Sequence, residues 1–243
     1  LLIYHKIGAG KTCTAINIAE RLKKKIQVMV VLPAALIGNF KNELRSQCAG
    51  ETYLTNSERK KLEKLKPSDE KFKKIIKKSN KQIDKYYTIY SYHKFVALAK
   101  EKKINLNNHL LIIDEVQNMI SMTGTFYKNL KESVDKAKNL KTVLLSATPM
   151  FDKPVEIALT LNLLKPRREL PIGCDFNKKF LKIKHNREGP YYKANRIRSF
   201  KRMIRGLVSY YRGAPTNAFP EENFKLVKCK MSVFQYKSYL TVL

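Results

Sequence analysis

Short apolar runs recur along the first two thirds of the chain, each followed by a stretch with helical spacing. The runs Leu1–Tyr4, Val28–Leu32, Tyr87–Tyr90, Leu110–Asp114 and Thr142–Ser146 are close to continuously apolar. A half-exposed strand alternates apolar and polar residues, whereas a strand of a covered parallel sheet is apolar throughout. Between these runs, Thr12–Lys24, Leu36–Gln47, Tyr92–Lys100 and Gly124–Lys138 carry apolar residues at helical intervals. Strand and helix in alternation predict an α/β fold of three layers, with helices on both faces of a parallel sheet.

Two stretches break this rhythm. Residues 57–85 carry twelve Lys/Arg, five Asp/Glu and few large apolar side chains, which predicts a solvated helix or mobile hairpin inserted on the domain surface. Past Met150 a helix at Pro154–Leu164 stops at Lys165-Pro166, because proline cannot continue it. Lys165–Arg212 then holds fifteen basic and three acidic residues, interleaved with Phe176, Phe180, Tyr191, Tyr192, Phe200, Tyr210 and Tyr211. The shift places a soft boundary at about residue 166, with a lobe over 1–165 and a mainly helical, basic segment over 166–243. Within that segment Phe224–Met231 alternates as a strand does, and Ser232–Leu240 reads as a helix.

Composition narrows the class. A hydrophobic fraction of 44% over 243 residues supports a packed core and excludes global disorder. The net charge of +29, from 49 Lys+Arg against 20 Asp+Glu, points to a polyanionic partner, most simply nucleic acid; the lesser alternative is a lysine-rich proteome, since lysine far outnumbers arginine. Cys13, Cys48, Cys174 and Cys229 stand far apart with no C-x-x-C or Cys/His cluster, so the expectation is dispersed thiols in a reducing compartment and no zinc site. No apolar run approaches the ~18 residues of a membrane span. The chain opens on Leu1-Leu2-Ile3-Tyr4, a strand with neither an initiator Met nor the regions of a signal peptide, and so reads as cut from a longer protein.

Three strings carry chemistry. In GAGKT, Gly8 and Gly10 allow a tight turn that aims backbone N–H groups at phosphate oxygens, with Ala9 between them and Cys13 just after. The helix that follows adds its positive end. Lys11 would reach the β- and γ-phosphates of ATP, and the Thr12 hydroxyl would ligate Mg²⁺. The full phosphate-loop pattern has glycine where His5 stands, so the strict pattern is broken. In IIDEVQN, Asp114 and Glu115 end a buried strand. Adjacent carboxylates are costly unless a cation lies between them, so Asp114 would hold Mg²⁺ and Glu115 would orient and deprotonate the attacking water. Gln117 either senses the γ-phosphate or caps a turn. In LLSATPM, Ser146, Ala147 and Thr148 follow the last strand and would report the nucleotide state.

Together with VVLPAALIGNF (Val30–Phe40) and TIYSYHKF (Thr88–Phe95), these strings resemble, in order and spacing, motifs I, Ia, Ib, II and III of superfamily 2 helicases over about residues 1–165. FPEENFKLVKCKMSVFQYKSYL (Phe219–Leu240) is similar to the segment that Swi/Snf-type ATPases place between their two lobes. PVEIALTLNLL (Pro154–Leu164) and GLVSYYRGAP (Gly206–Pro215) look most like ATPases of large DNA viruses, the group of poxvirus nucleoside triphosphatase I and the early transcription factor small subunit. The resemblance implies a RecA-like P-loop lobe followed by a basic interlobe segment, ATP and Mg²⁺ as cofactors, and hydrolysis coupled to movement on double-stranded DNA. It implies nucleic-acid backbone contacts at Pro33, Asn39, Ser91 and Tyr92, and puts Gln117 where many relatives have His. Viral RNA polymerase or transcription factors would be partners, in the cytoplasm of an infected cell or in the virion, with the nucleus left open. A strand-separating helicase and a silent, recruiting P-loop module are the rival readings.

Overall fold

The computed structural model describes residues 1–120, 124–150, 152–186, 189–213 and 223–242. In chain order the first part runs β1 (Leu2–His5), α1 (Lys11–Leu22), β2 (Gln27–Leu32), α2 (Ile37–Arg45), α3 (Asn56–Glu63), α4 (Glu70–Asp84), β3 (Tyr87–Ser91), α5 (Tyr92–Lys100) and β4 (His109–Ile113). There follow α6 (Thr125–Lys136), β5 (Lys141–Ser146), α7 (Glu156–Asn162), α8 (Gly173–Phe180), β6 (Leu181–Asn186), β7 (Gly189–Ala194), α9 (Ile197–Met203), β8 (Val208–Tyr211) and α10 (Val233–Val242).

Six strands form one parallel sheet in the order β3-β2-β4-β5-β1-β8. Its two faces are both covered, which is why the strands are apolar without alternation. Leu2, Met29, Val31, Leu111, Ile113 and Leu144 face a core built with α5, α6, α7 and α8. Their neighbours Ile3, Val28, Val30, Ile112 and Leu145 face the opposite core, with Ala15, Ile16 and Ala19 of α1, Phe40 and Leu44 of α2 and Ile83 of α4. The five expected strands and four expected helices of the lobe are present, with no end shifted by more than two residues.

The lysine-rich insertion is two helices, not a mobile hairpin. Thr55 and Glu58 make a reciprocal capping box at the start of α3. On α2, Arg45 is buried; its Nε donates to Ser79 Oγ at 3.0 Å and its other nitrogens to Asn42 Oδ1 at 2.9 Å and Asn80 Oδ1 at 2.5 Å. From α3, Arg59 donates to the carbonyls of Arg45 at 2.7 Å, Ser46 at 3.0 Å and Gly50. Two guanidiniums thus satisfy the end of α2 and tie the inserted helices to it, a constraint that residue composition does not reveal.

The boundary expected near residue 166 does not fall there. The chain continues through α8, the β6–β7 hairpin and α9, then returns to the sheet as β8, parallel to β1 with Leu2 opposite Val208 and His5 opposite Tyr211. Strand pairing therefore holds 166–213 to the lobe, and the first compact unit ends at Gly213. The second unit begins at Ala214; residues 214–222, including the start of the FPEENF string, lie outside the described residues. Phe224–Met231, expected as a strand, has no regular structure and is exposed, since no described strand pairs with it. The helix expected after it is α10, opened by a second capping box: Gln235 N–H donates to Ser232 Oγ at 3.2 Å and Ser232 N–H to Gln235 Oε1 at 3.0 Å.

Arg45→Ala leaves Ser79, Asn80 and Asn42 without their shared donor. It is expected to lower unfolding free energy by about 2–4 kcal/mol in denaturant melts and to speed tryptic cleavage within residues 57–85.

Candidate active site

The residues that follow β1 and β4 meet around a cleft of about 400 Å³ lined by Gly8, Gly10, Lys11, Thr12, Cys13, Asp114 and Glu115, together with Leu36, Asn39, Phe40 and Glu43. The loop from β1 to α1 is set by two glycines in the left-handed region, Gly8 at φ 75° and Gly10 at φ 71°. A Cβ at either would meet no atom within 4 Å, so the need for glycine is conformational and the space above the loop is open. Gly10 is the residue at which α1 starts; its carbonyl accepts the Thr14 N–H at 2.9 Å and the Thr14 hydroxyl at 3.0 Å. Among the described residues Lys11 forms no ion pair and the Thr12 hydroxyl no hydrogen bond. A free ammonium, a free hydroxyl and the N–H groups of a helix start fit a Mg²⁺-bound triphosphate.

His5 has a structural reason for departing from glycine. Its ring is buried against β8, with Nε2 3.0 Å from Ser209 Oγ and an edge contact to Tyr211 at 5.8 Å. Its Nδ1 is buried without a hydrogen-bond partner among the described residues.

Across the cleft, Asp114 is 7% exposed, and its backbone N–H extends the sheet ladder by donating to Val31 O at 3.0 Å. Burial, then the charge of Glu115, push the Asp114 carboxyl up to about 6, against a smaller pull from Lys11. Glu115 is left-handed at φ 50°, a conformation that is strained for a residue with a side chain and recurs at functional sites. Its N–H donates to Asp114 Oδ1 at 2.9 Å. Beneath this turn lies the Tyr92 hydroxyl, which donates to the carbonyls of Asp114 and, at 2.9 Å, Glu115.

Gln117, for which γ-phosphate sensing and turn capping were both expected, joins two of the motif strings through its amide. Nε2 donates to Glu115 Oε2 at 2.6 Å, and Oε1 accepts from Ser146 Oγ at 2.7 Å. The same Ser146 oxygen accepts the Thr148 N–H at 2.9 Å. A chain of hydrogen bonds therefore runs from the SAT loop through Gln117 to the carboxylate expected to hold the attacking water. Ser146 is fully buried; Ala147 and Thr148 lie where the strand leaves the sheet.

The residues expected to touch nucleic acid separate into three groups. Pro33 and Ser91 follow and end the adjacent strands β2 and β3 and stand together at the carboxyl edge, with Leu32 paired to Ser91. The Ser91 hydroxyl accepts the Lys94 N–H at 3.3 Å and so caps α5. Asn39 lines the nucleotide cleft instead. Tyr92 departs from the surface position expected of it: it is 6% exposed, and its hydroxyl props the acidic turn from below. Cys13 and Cys48 correct the expectation of separate thiols. They are joined in a disulfide with Cα atoms 5.3 Å apart, linking the first turn of α1 to the turn after α2; Cys174 and Cys229 are free and exposed. A separation of 35 residues hides such a pair from any local motif.

A phosphate loop facing an acidic pair across the carboxyl edge of a parallel sheet defines a RecA-like, P-loop nucleotide-binding lobe of the helicase kind. Residues 1–243 match the SNF2-related domain family along their whole length, and the chain belongs to that family. It is 55% identical over 240 residues to a protein of Acanthamoeba polyphaga mimivirus provisionally named an ATP-dependent RNA helicase, a match covering 98% of this chain and 42% of that protein. It is 25% identical over 250 residues to the termination factor NPH-I homolog of African swine fever virus, covering 99% of this chain and 32% of that one. In shape it is similar to the Sulfolobus solfataricus SWI2/SNF2 ATPase core solved in complex with dsDNA, at a TM-score of 0.53 and 18% identity, over 87% of this chain and 40% of that chain. The chain thus spans less than half the length of these relatives.

Two substitutions probe this geometry. The folded-state pKa of Asp114, about 6, lies above its ordinary value of 3.8, so the native chain holds the extra proton between those values and loses stability as pH rises through about 6. Asp114→Asn is therefore expected to raise unfolding free energy by about 1–3 kcal/mol at pH 8, an advantage that vanishes below about pH 4, while abolishing Mg²⁺-dependent nucleotide binding. Tyr92→Phe is expected to cost about 1 kcal/mol and to slow turnover in the full-length protein with nucleic-acid affinity unchanged. Weaker nucleic-acid binding at normal turnover would return Tyr92 to the surface role.

Proposed function

We propose that this chain is the first ATP-binding lobe of a nucleic-acid-dependent ATPase of a large DNA virus, one that couples hydrolysis to translocation on, or remodelling of, DNA during viral transcription. The observation that carries the proposal is the hydrogen-bonded path Ser146–Gln117–Glu115, which joins the hydrolytic carboxylate to the loop leaving β5. Lys11 binds the outer phosphates, Thr12 and Asp114 hold Mg²⁺, and Glu115 takes the proton of the attacking water. Magnesium supplies charge neutralisation on the phosphates when bound. Gln117 fixes the Glu115 carboxylate in one rotamer and makes its position depend on Ser146.

Double-stranded DNA as the substrate is supported by the complex in which the Sulfolobus core was solved, and a transcriptional setting by the name of the African swine fever virus relative. The partners in this reading are the viral RNA polymerase or its factors, in the infected cytoplasm or the virion. The relatives extend well beyond the matched region. By family resemblance a second lobe supplies an arginine to the transition state, a contribution of about 10³–10⁵ in rate, so residues 1–243 alone bind ATP weakly and turn it over slowly.

Lys11→Ala and Glu115→Gln in the full-length protein test the proposal. Steady-state phosphate release stimulated by duplex DNA is expected to fall at least ~100-fold in both, with ATP binding lost in the first and retained in the second. Unchanged turnover in both would leave a recruiting module rather than an enzyme. Displacement of an annealed strand by the wild-type protein would favour a strand-separating helicase over a translocase.

A further inference from the structure

The β6–β7 hairpin is the feature of the lobe that the ATP site does not use. Its foot is fixed: Phe176 and Phe180 of α8 are 3% exposed and pack with Phe200 of α9 at ring distances of 5.3–6.4 Å. The Asn195 N–H donates to Phe180 O at 2.7 Å, closing the base of the hairpin. Beyond that foot the two strands pair only with each other and are exposed on both faces. A two-stranded sheet with no third element over it is marginal by itself, so what it presents is informative.

The register sorts its side chains. Lys182 lies opposite Lys193 and Lys184 opposite Tyr191, so these four share one face. Ile183 and Tyr192 share the other and are 64% and 57% exposed. Like charges directly opposite one another on a sheet repel, and the strands carry no Asp or Glu to offset them. Among the described residues none of the three lysines forms an ion pair. Lys178 and Lys179 before the hairpin, and Arg196, Arg198, Lys201 and Arg202 after it, extend the positive surface around its foot. Lys182 and Lys184 stand about 7 Å apart along one strand, a spacing that lets each meet a different phosphate of a strand running beside them. Tyr191 adds an aromatic plane, 44% exposed, to the same basic face. Lysines that repel one another around an open tyrosine are matched by a polyanion that also offers flat apolar faces.

We infer that this hairpin is a second nucleic-acid contact, separate from the carboxyl edge of the sheet: Lys182, Lys184 and Lys193 neutralise phosphates and Tyr191 stacks on a base. Stacking needs a base whose face is open, which a duplex interior does not offer, so the occupant is an unpaired strand. The inference rests on the proposed nucleic-acid dependence but assigns a contact that dependence does not specify.

The test is fluorescence anisotropy of the full-length protein without nucleotide, titrated onto a labelled oligothymidylate and onto a blunt duplex of equal length. Tyr191→Ala is expected to weaken single-strand binding by about 5- to 150-fold, one stacking contact, to leave duplex binding unchanged and to be rescued by Tyr191→Phe. The pair Lys182→Gln and Lys193→Gln is expected to flatten the dependence of log affinity on log salt by about 1.4 on the single strand, with an unchanged or higher melting temperature because a repulsion is removed. Variants that bind oligothymidylate like wild type, or lose duplex and single strand equally, overturn the assignment and leave the proposed function standing. If the wild-type protein binds neither probe, the nucleic-acid dependence falls with it.

Discussion

The level ending of three parallel strands is the constraint on which the rest of the site depends. Tyr4 pairs with Ser146 and Ile113 with Leu144, so β1, β5 and β4 bring the phosphate loop, the SAT loop and the acidic turn to one edge. Side chains alternate along a strand, so a slip of one residue would turn Ser146 away from Gln117 and carry the Asp114 position to the opposite face. The register is held because both faces of each strand are committed to a core. Leu144 faces one helical layer and Leu145 the other, and neither can be exchanged without exposing apolar surface.

Around that edge the lobe holds several unfavourable arrangements at once. Asp114 is buried beside a second carboxylate, Glu115 is left-handed, and Lys11 acts on Asp114 only through space, with no direct ion pair among the described residues. Each is costly alone; in the proposed ATP site a bound cation would offset the paired carboxylates and a phosphate the charge of Lys11. The scaffold compensates nearby. Tyr92 props the strained turn, the Cys13–Cys48 bond fixes the first turn of α1, and Glu20 on the same helix accepts from the Tyr53 hydroxyl at 2.8 Å and the Tyr87 hydroxyl at 2.7 Å. The helix bearing Lys11 is thereby anchored at both ends.

What the sequence made legible was local. Five strands and the three motif strings could be read because burial imposes continuous apolar runs and because Gly-Lys-Thr and Asp-Glu do their chemistry between neighbours in the chain. What it hid depends on distant partners. Val208–Tyr211 sits among arginines and tyrosines and becomes a strand only by pairing with β1 across two hundred residues. Tyr92 follows Ser91 in a string of mixed exposure, and only the first turn of α5 shows that it points under the acidic pair while His93 and Lys94 face outward. Phe224–Met231 has the alternation of a strand but no neighbour to pair with among the described residues, while the capping box Ser232–Gln235, a local device, was where the sequence placed a helix start.

The position of β8 has a mechanical meaning. It is the edge strand beside β1, and the Lys6 N–H at the mouth of the phosphate loop donates to Tyr211 O at 3.2 Å, two residues before the lobe ends at Gly213. Tension applied to the chain beyond that point is borne by a ladder of hydrogen bonds running alongside the phosphate-loop strand, with His5 wedged against Ser209 and Tyr211. The phosphate loop and the strand that leads the chain out of the lobe thus share one ladder of backbone hydrogen bonds, so a pull on that strand bears first on the mouth of the loop.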